Sequence, residues 1–463
     1  MMFSVYPAYK ESGVEWLGEV PEHWTVQPLK RAIVKIESGT SVNAADYPAE
    51  PGSYGVLKTS CVYTGQFDWR ENKAVDDEDL SRVSCPLKIG TLVVSRMNTP
   101  DLVGATGLVT AAPDGIFLPD RLWQIYFEKN QSASFVFYFT KAPEYREQVK
   151  NACSGTSSSM QNLGQDDFRT LLFVEPPVAE QTQIARFLDH ETARIDALIE
   201  EQQRLIELLK EKRQALISHA VTKGLDPTVP MKDSGVAWLG YVPAHWGVCK
   251  LSFRYFVELG KMLDEKKNTG TNPLPYLRNQ DVQQGVINID GLPLIDIEPS
   301  EYERYTVRLG DLLVCEGGDV GRAAIWRHKD SRIGYQKALH RLRPESPNRD
   351  TAEFFFYSLM AAKTLGVFEE SDMKATISHL PAEKFRQYRF AFPPFDDQQE
   401  IASVLECKLQ RSNETISYAE NTIGFLQERR SALISAAVTG KIDVRGWQPP
   451  TSAPSPASAQ EAV

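Results

Sequence analysis

From Glu180 to Val221 the chain contains no proline or glycine. Leu188, Ile195, Leu198, Leu205, Leu209 and Leu216 fall on alternating steps of three and four, with Glu191, Gln202 and Lys212 at the remaining positions. Six apolar residues in nine seam positions predict an amphipathic helix with a coiled-coil seam, about 60 Å long at about 1.5 Å per residue over about forty residues. A second, more polar stretch over 397–438 keeps Ile401, Leu405, Leu409, Ile416, Ile423, Leu426 and Leu433. Asp396 and Gln399 resemble a capping box after a Pro-Pro step that holds the chain extended. Gly224 and Gly440 stand just past the predicted ends, where a left-handed residue closes a helix. Each helix is insufficient alone, so the two are expected to pair antiparallel.

Ahead of each helix the pattern changes to short Val, Ile, Tyr and Phe runs broken by Gly, Pro, Asn and Asp, as in "TLVVSRMNTPDLVGATGLVT" (91–110) and "DLLVCEGGDVGRAAIW" (311–326). That is the pattern of short strands and turns. With helices expected at 132–149 and 350–364, it predicts α+β modules of about 150 residues each.

The patterns come in pairs. "ESGVEWLGEVPEHW" (11–24) returns as "DSGVAWLGYVPAHW" (233–246), ten of fourteen positions identical. "EKRQALISHAVTKGLD" (211–226) returns as "ERRSALISAAVTGKID" (428–443), and "PPVAEQTQIARFLD" (176–189) as "PPFDDQQEIASVLE" (393–406). "LKIGTLVVS" (87–95) faces "VRLGDLLVC" (307–315), Gly90 opposite Gly310. The chain is therefore a tandem duplication whose ends stayed alike while its middles drifted. The antiparallel helices give the halves a pseudo-two-fold relation.

Composition narrows the function. Hydrophobic residues at 42% and charged residues at 24% are ordinary for a soluble globular protein. No apolar stretch is long enough to span a bilayer, and the six scattered cysteines form no C-x-x-C pair, so a cytoplasmic protein without disulfides or zinc is expected. Net charge is −10, which disfavours a general polyanion binder, although Arg322, Arg327, Lys329, Arg332, Lys337, Arg341 and Arg343 face a single Asp330. Catalytic patterns are missing. There is no phosphate loop, H-E-x-x-H or G-x-S-x-G. "TNPLPY" (271–276) only brushes against an amino-methyltransferase motif, and "GGDVGR" (317–322) reads as a turn. The chain is not expected to be an enzyme.

Side chains that read base edges are better represented, since Arg pairs with guanine and Asn or Gln with adenine. The first module offers Lys58, Thr59 and Ser60, then Arg96, Asn98 and Thr99. The second offers Arg278, Asn279 and Gln280 at the position equivalent to Lys58–Ser60, with Arg322, Gln336, Lys337, His340 and Arg341 from the basic strip.

The opening phrases S-G-x-x-W-L-G-x-x-P-x-H-W, the helix start P-P-x-x-E-Q-x-x-I-A-x-F-L-D and the close R-x-A-L-I-x-x-A-V-T-G resemble the specificity (S) subunit of type I restriction–modification systems, over residues 11–445. The resemblance implies two α/β target-recognition domains, 1–176 and 247–393, and two spacer helices, 177–222 and 394–445, forming an antiparallel coiled coil. A linker with the second Trp phrase (223–246) and a disordered tail (446–463) complete the division. It implies a non-catalytic subunit that reads double-stranded DNA at a bipartite target. Two methyltransferase (M) subunits and restriction (R) subunits are its implied partners. Cofactors are expected on those partners alone: S-adenosylmethionine on M, ATP and Mg on R. Helix length is expected to set the spacer between half-sites. Arg213, His219, Lys223, Arg430 and Lys441 are candidate M-subunit contacts. Residues 25–175 carry fifteen basic and eighteen acidic side chains and residues 247–392 twenty-one and twenty, so weak DNA binding by this chain alone is expected. A duplicated scaffold without DNA specificity, or an orphan specificity protein, are the alternatives.

Overall fold

The computed structural model describes residues 4–157, 159–264, 268–329, 332–369 and 379–450. The tail expected to be disordered lies, from 451 on, outside the described residues. Trp447 corrects its start at 446. Its ring packs edge-on against Phe187 at 5.3 Å, and Gln183 donates to its carbonyl, so the fold continues past the last helix.

Two compact units result: residues 1–202 with 421–463, and residues 203–420. Each is α+β and each repeats one plan. In the first unit a four-stranded antiparallel sheet has the order Ile33–Ser38, Leu122–Phe127, Leu92–Ser95, Thr106–Leu108. In the second the order is Tyr255–Leu259, Leu339–Pro344, Leu312–Cys315, Ala323–Ile325. A three-stranded sheet accompanies each: Ile116–Phe117, Gly55–Leu57 and Asn72–Ala74, or Leu294–Asp296, Pro273–Leu277 and Gly334–Tyr335. In both, one pair is parallel. Two-stranded ribbons close the modules, Thr25–Pro28 with Leu172–Glu175 and Gly247–Lys250 with Arg389–Phe392.

The long helices run Val178–Lys223 and Phe395–Val438. Within the first unit, Ile184, Leu188 and Ile195 of the first helix share a core with Leu433, Ile434 and Val438 of the second. Within the second unit, Ile217, Ala220 and Val221 share one with Ile401, Leu405 and Leu409. The start of one helix thus lies beside the end of the other, which is antiparallel pairing. The seam differs from the expected one in mid-helix. Leu198 and Leu205 are 39% and 37% exposed, while Ile206 is buried and Ile199 half-buried. Each expected leucine has an isoleucine one position on, and packing selects the phase about 100° away. Among the described residues no helix is long and apolar enough to cross a membrane.

The repeated phrase forms the same object twice. Tyr9–Glu11 pairs Glu19–Pro21, and Met231–Asp233 pairs Tyr241–Pro243. The loop between is held by Ser12 N–H to Gly18 O and Gly18 N–H to Val14 O, repeated at Ser234, Gly240 and Val236. Gly18 and Gly240 have φ of 63° and 57°, the left-handed conformation for which glycine is suited. Trp24 and Trp246 are fully buried, with Leu17 and Leu239, while Trp16 stays exposed. Trp24 donates its indole N–H to Glu180 Oε1 at 3.1 Å, in the first turn of the long helix. Glu180 also accepts from Tyr6 OH at 2.5 Å and lies 2.8 Å from His23 Nε2. The phrase therefore ties each module to the start of a helix.

Two expected surface residues belong to the interior. His340 and Arg341 lie on the second strand of the second unit's sheet, between Tyr255–Leu259 and Leu312–Cys315. That strand is covered on both faces, so neither side chain reaches solvent. His340 Nε2 pairs with Leu380 O at 2.7 Å. Arg341 donates to the carbonyls of Glu303 and Thr306, at 3.0 and 2.7 Å, and to the Glu258 carboxylate. Burial holds the His340 ring neutral, its pKa lowered to about 4. An unfolded chain takes up a proton there below pH about 6.5 that the fold refuses, so this residue lowers stability as pH falls from 6.5 toward 4. His340→Gln is expected to flatten that part of the acid-side decline in a pH series of thermal melts; an unchanged slope would show the histidine to be silent.

The Glu180 cluster makes a second expectation. Glu180 is nearly fully buried, and removing it leaves the Tyr6 and Trp24 donors unpaired in the core, so Glu180→Ala is expected to cost about 3 kcal/mol. Its counterpart Asp397 is 40% exposed and bonds His245 at 3.0 Å, so Asp397→Ala is expected to cost under about 1 kcal/mol. Urea unfolding of the two variants tests the difference.

Candidate nucleic-acid interface

In both units a strand of the three-stranded sheet ends in a short 3-10 turn, and the polar triplets sit at that junction. Gly55–Leu57 runs into the turn Thr59–Val62 with Lys58 as its first flank. Pro273–Leu277 runs into Asn279–Asp281 with Arg278 in the same place. The equivalent positions therefore carry Lys-Thr-Ser in one unit and Arg-Asn-Gln in the other.

In the first unit the two candidate stretches are brought together by a residue the pattern did not reveal. Tyr63 OH lies 2.7 Å from Thr59 Oγ1 and accepts from Asn98 Nδ2 at 2.8 Å. Tyr63 is itself exposed, one turn after the triplet, and an aromatic next to a polar cluster was the available signal. Ser60 Oγ donates to Glu71 Oε2 at 2.6 Å, and Lys58 Nζ lies 3.9 Å from the same carboxylate. Arg96 donates through Nε to Asp120 O at 2.6 Å and through Nη1 to Asn162 Oδ1 at 3.2 Å. Asn98 is buried, leaving Thr99 as the exposed end of its stretch.

In the second unit Arg278 forks onto Asp281, Nε and Nη2 at 2.9 and 2.8 Å from its two oxygens. Burial raises the Asp281 pKa, but the side-chain and backbone bonds from Arg278 prevail and hold it below the usual carboxylate range. Asn279 donates to Gly317 O at 3.0 Å and receives Arg322 Nη2 at 2.9 Å. Asp281 thus holds Arg278, and Arg322 holds Asn279. Gln280 and Lys337 are exposed and Gln336 is half-buried. Gln336 N–H bonds Leu277 O at 2.9 Å, which places it beside the triplet strand. The basic stretch 322–343 is therefore not one surface strip: His340 and Arg341 leave it for the core, Arg343 forks onto buried Asp311, and Arg322 braces Asn279.

Such an arrangement can present hydrogen-bond donors and acceptors held in fixed geometry, but few unpaired cations. It suits reading of base edges more than capture of phosphates. Of the proposed helix-face contacts, Arg430 forks onto Asp196, Nε at 2.8 Å, Arg213 donates to Asn413 at 2.7 Å, and Lys223 donates to the carbonyls of Leu239 and Tyr241. His219 is exposed on the groove lined by Leu209, Leu216 and Lys408, and Lys441 is exposed beyond the second helix.

Comparison with known proteins agrees with the motif reading. The family model for the type I restriction modification DNA specificity domain matches residues 251–421. The EcoKI specificity subunit of Escherichia coli K12 is 24% identical over 307 residues, 64% of this chain and 62% of that protein; the match thus spans less than two thirds of its length. The StySPI specificity subunit of Salmonella potsdam is 20% identical over 440 residues, 93% of this chain and 91% of the relative. A chain of a solved type I R-M system has the same fold, with a TM-score of 0.70, 16% identity and coverage of 90% of this chain and 98% of the other. The HsdS subunit from Thermoanaerobacter tengcongensis follows at TM-score 0.56 and 16% identity, with 91% and 98% coverage. By motif order, by relatives and by fold, this chain resembles the specificity subunits of type I restriction–modification systems, and its second half carries the match to their DNA specificity domain.

Proposed function

We propose that this chain is the DNA sequence-recognition subunit of a type I restriction–modification complex. The carrying observation is that two modules of one topology present different side chains at one structural position, Lys58–Ser60 against Arg278–Gln280. A duplicated scaffold with a divergent polar edge is what reading a bipartite, asymmetric site needs. Lys58, Thr59, Ser60, Thr99, Gln280, Gln336 and Lys337 are the readers in this account, while Arg278, Asn279, Arg322, Arg96 and Asn98 hold the edge in shape. The chain contributes no catalysis. Methyltransferase subunits bearing S-adenosylmethionine, and restriction subunits using ATP and Mg, dock on it and do the chemistry in the cytoplasm. Weak phosphate grip by this chain alone follows from its paired cations.

With each module reading one half-site, half-sites about one helical turn apart, about 10 bp, are expected. Co-expression with candidate methyltransferase subunits and genome-wide mapping of methyladenine should give one bipartite motif that vanishes when this chain is deleted. A motif that persists would favour the scaffold alternative. Inserting four residues into the helix within 198–212 is expected to lengthen the spacer and leave both half-sites unchanged; unaltered spacing would refute the ruler role.

A further inference from the structure

The two copies of the Trp phrase are anchored differently. In the first unit the Tyr6 ring lies 5.6 Å from Trp24 and 5.8 Å from His23, with the Arg445 guanidinium 4.9 Å over its face. Ser4 and Asp443 pair in an isolated bridge that brings these two segments together. In the second unit the Trp246 indole is 1% exposed, and its N–H has no hydrogen-bond partner among the described residues. Asp397, one methylene shorter than Glu180, bonds the His245 ring instead. Beside Trp246 opens a pocket of about 400 Å³ lined by Gly224, Val229, Pro243, His245 and Asp397.

The duplication explains the space. The phrases repeat at an offset of 222 and the helix ends at 217, so Ser4 and Asp443 both correspond to Asp226. Tyr6 and Arg445 both correspond to Thr228. Two chain segments meet in the first unit where one continuous linker passes in the second. Thr228 is exposed, its hydroxyl turned back 2.6 Å onto Asp226, and nothing in the linker replaces the phenol.

We propose that this pocket binds a tyrosine side chain presented by an extended segment of a partner protein, seated as Tyr6 is seated in the first unit. The phenol donates to Asp397, as the Tyr6 phenol donates to Glu180 in the first unit. A phenylalanine would lack that hydrogen bond. Asp226, Asp397 and Glu400 against Lys223 make the rim acidic, so the segment carries a basic residue near its tyrosine, as Arg445 accompanies Tyr6. The site is independent of the DNA reading, and its test uses no DNA.

The probe is the peptide of residues 4–10 with Tyr9→Phe, which keeps one phenol and one lysine, titrated into the full chain. Calorimetry gives the affinity, and the ¹⁵N indole signal of Trp246, assigned with Trp246→Phe, gives the place. The Trp246 signal is expected to move saturably, and the peptide also lacking the Tyr6 hydroxyl should bind about tenfold more weakly. Thr228→Tyr should occlude the pocket and abolish binding; Asp397→Asn, which spares the core, should weaken it. An unmoved Trp246 signal, equal binding of the two peptides, undiminished binding by Asp397→Asn, or binding of p-cresol as tight as that of the peptide would each overturn the proposal.

Discussion

A carboxylate in the first turn of the first long helix is the constraint on which the first unit depends. Glu180 gathers the indole of Trp24, the phenol of Tyr6 and the ring of His23. The indole and the phenol are buried, where an unmet hydrogen bond is costly, while the His23 ring stays exposed. The chain terminus, the repeated ribbon and the helix are therefore fastened at one point. From that point the helix leaves, and its Phe187 shares one core with Phe135 of the short helix Ala133–Phe139 and Phe173 of the ribbon strand Leu172–Glu175.

The same plan with a weaker carboxylate shows what a duplication can and cannot copy. The Trp-phrase ribbons, the closing ribbons, the four-stranded sheets and the three-stranded sheets with one parallel pair repeat in topology. The environment of the Trp does not, because two separate segments, around Tyr6 and Arg445, close it in the first unit and a single linker passes in the second. Divergence at the polar triplets is of another kind. There the backbone is kept and the side chains change, while acidic neighbours such as Glu71 and Asp281 hold each new cation in place. Specificity can drift without disturbing the fold, since the drifting residues lie outside the cores.

Pairing of cations with carboxylates also accounts for the charge of the molecule. An acidic chain with a braced polar edge presents shape and hydrogen bonds in fixed geometry and little net attraction for a polyanion. Reading and gripping are then separable tasks, and the second falls to other subunits in the proposed complex.

Much was legible in the residues alone. Internal repeats, proline before and glycine after an unbroken apolar period, and short β-branched runs determine two α+β modules and two long helices, because these signals are local. Position in the third dimension is not local. Leu198 and Ile199, or Leu205 and Ile206, offer two helix phases of similar quality, and only the packed partner chose between them. His340 and Arg341 read as surface because they are polar and stand in a basic stretch, yet their strand has neighbours on both edges and cores on both faces. Tyr63, far in sequence from Asn98, joined the first polar edge through the tertiary fold. The chain by itself determined which elements exist and that they occur twice; the tertiary structure decided which polar side chains face outward, because that depends on how many layers cover each strand.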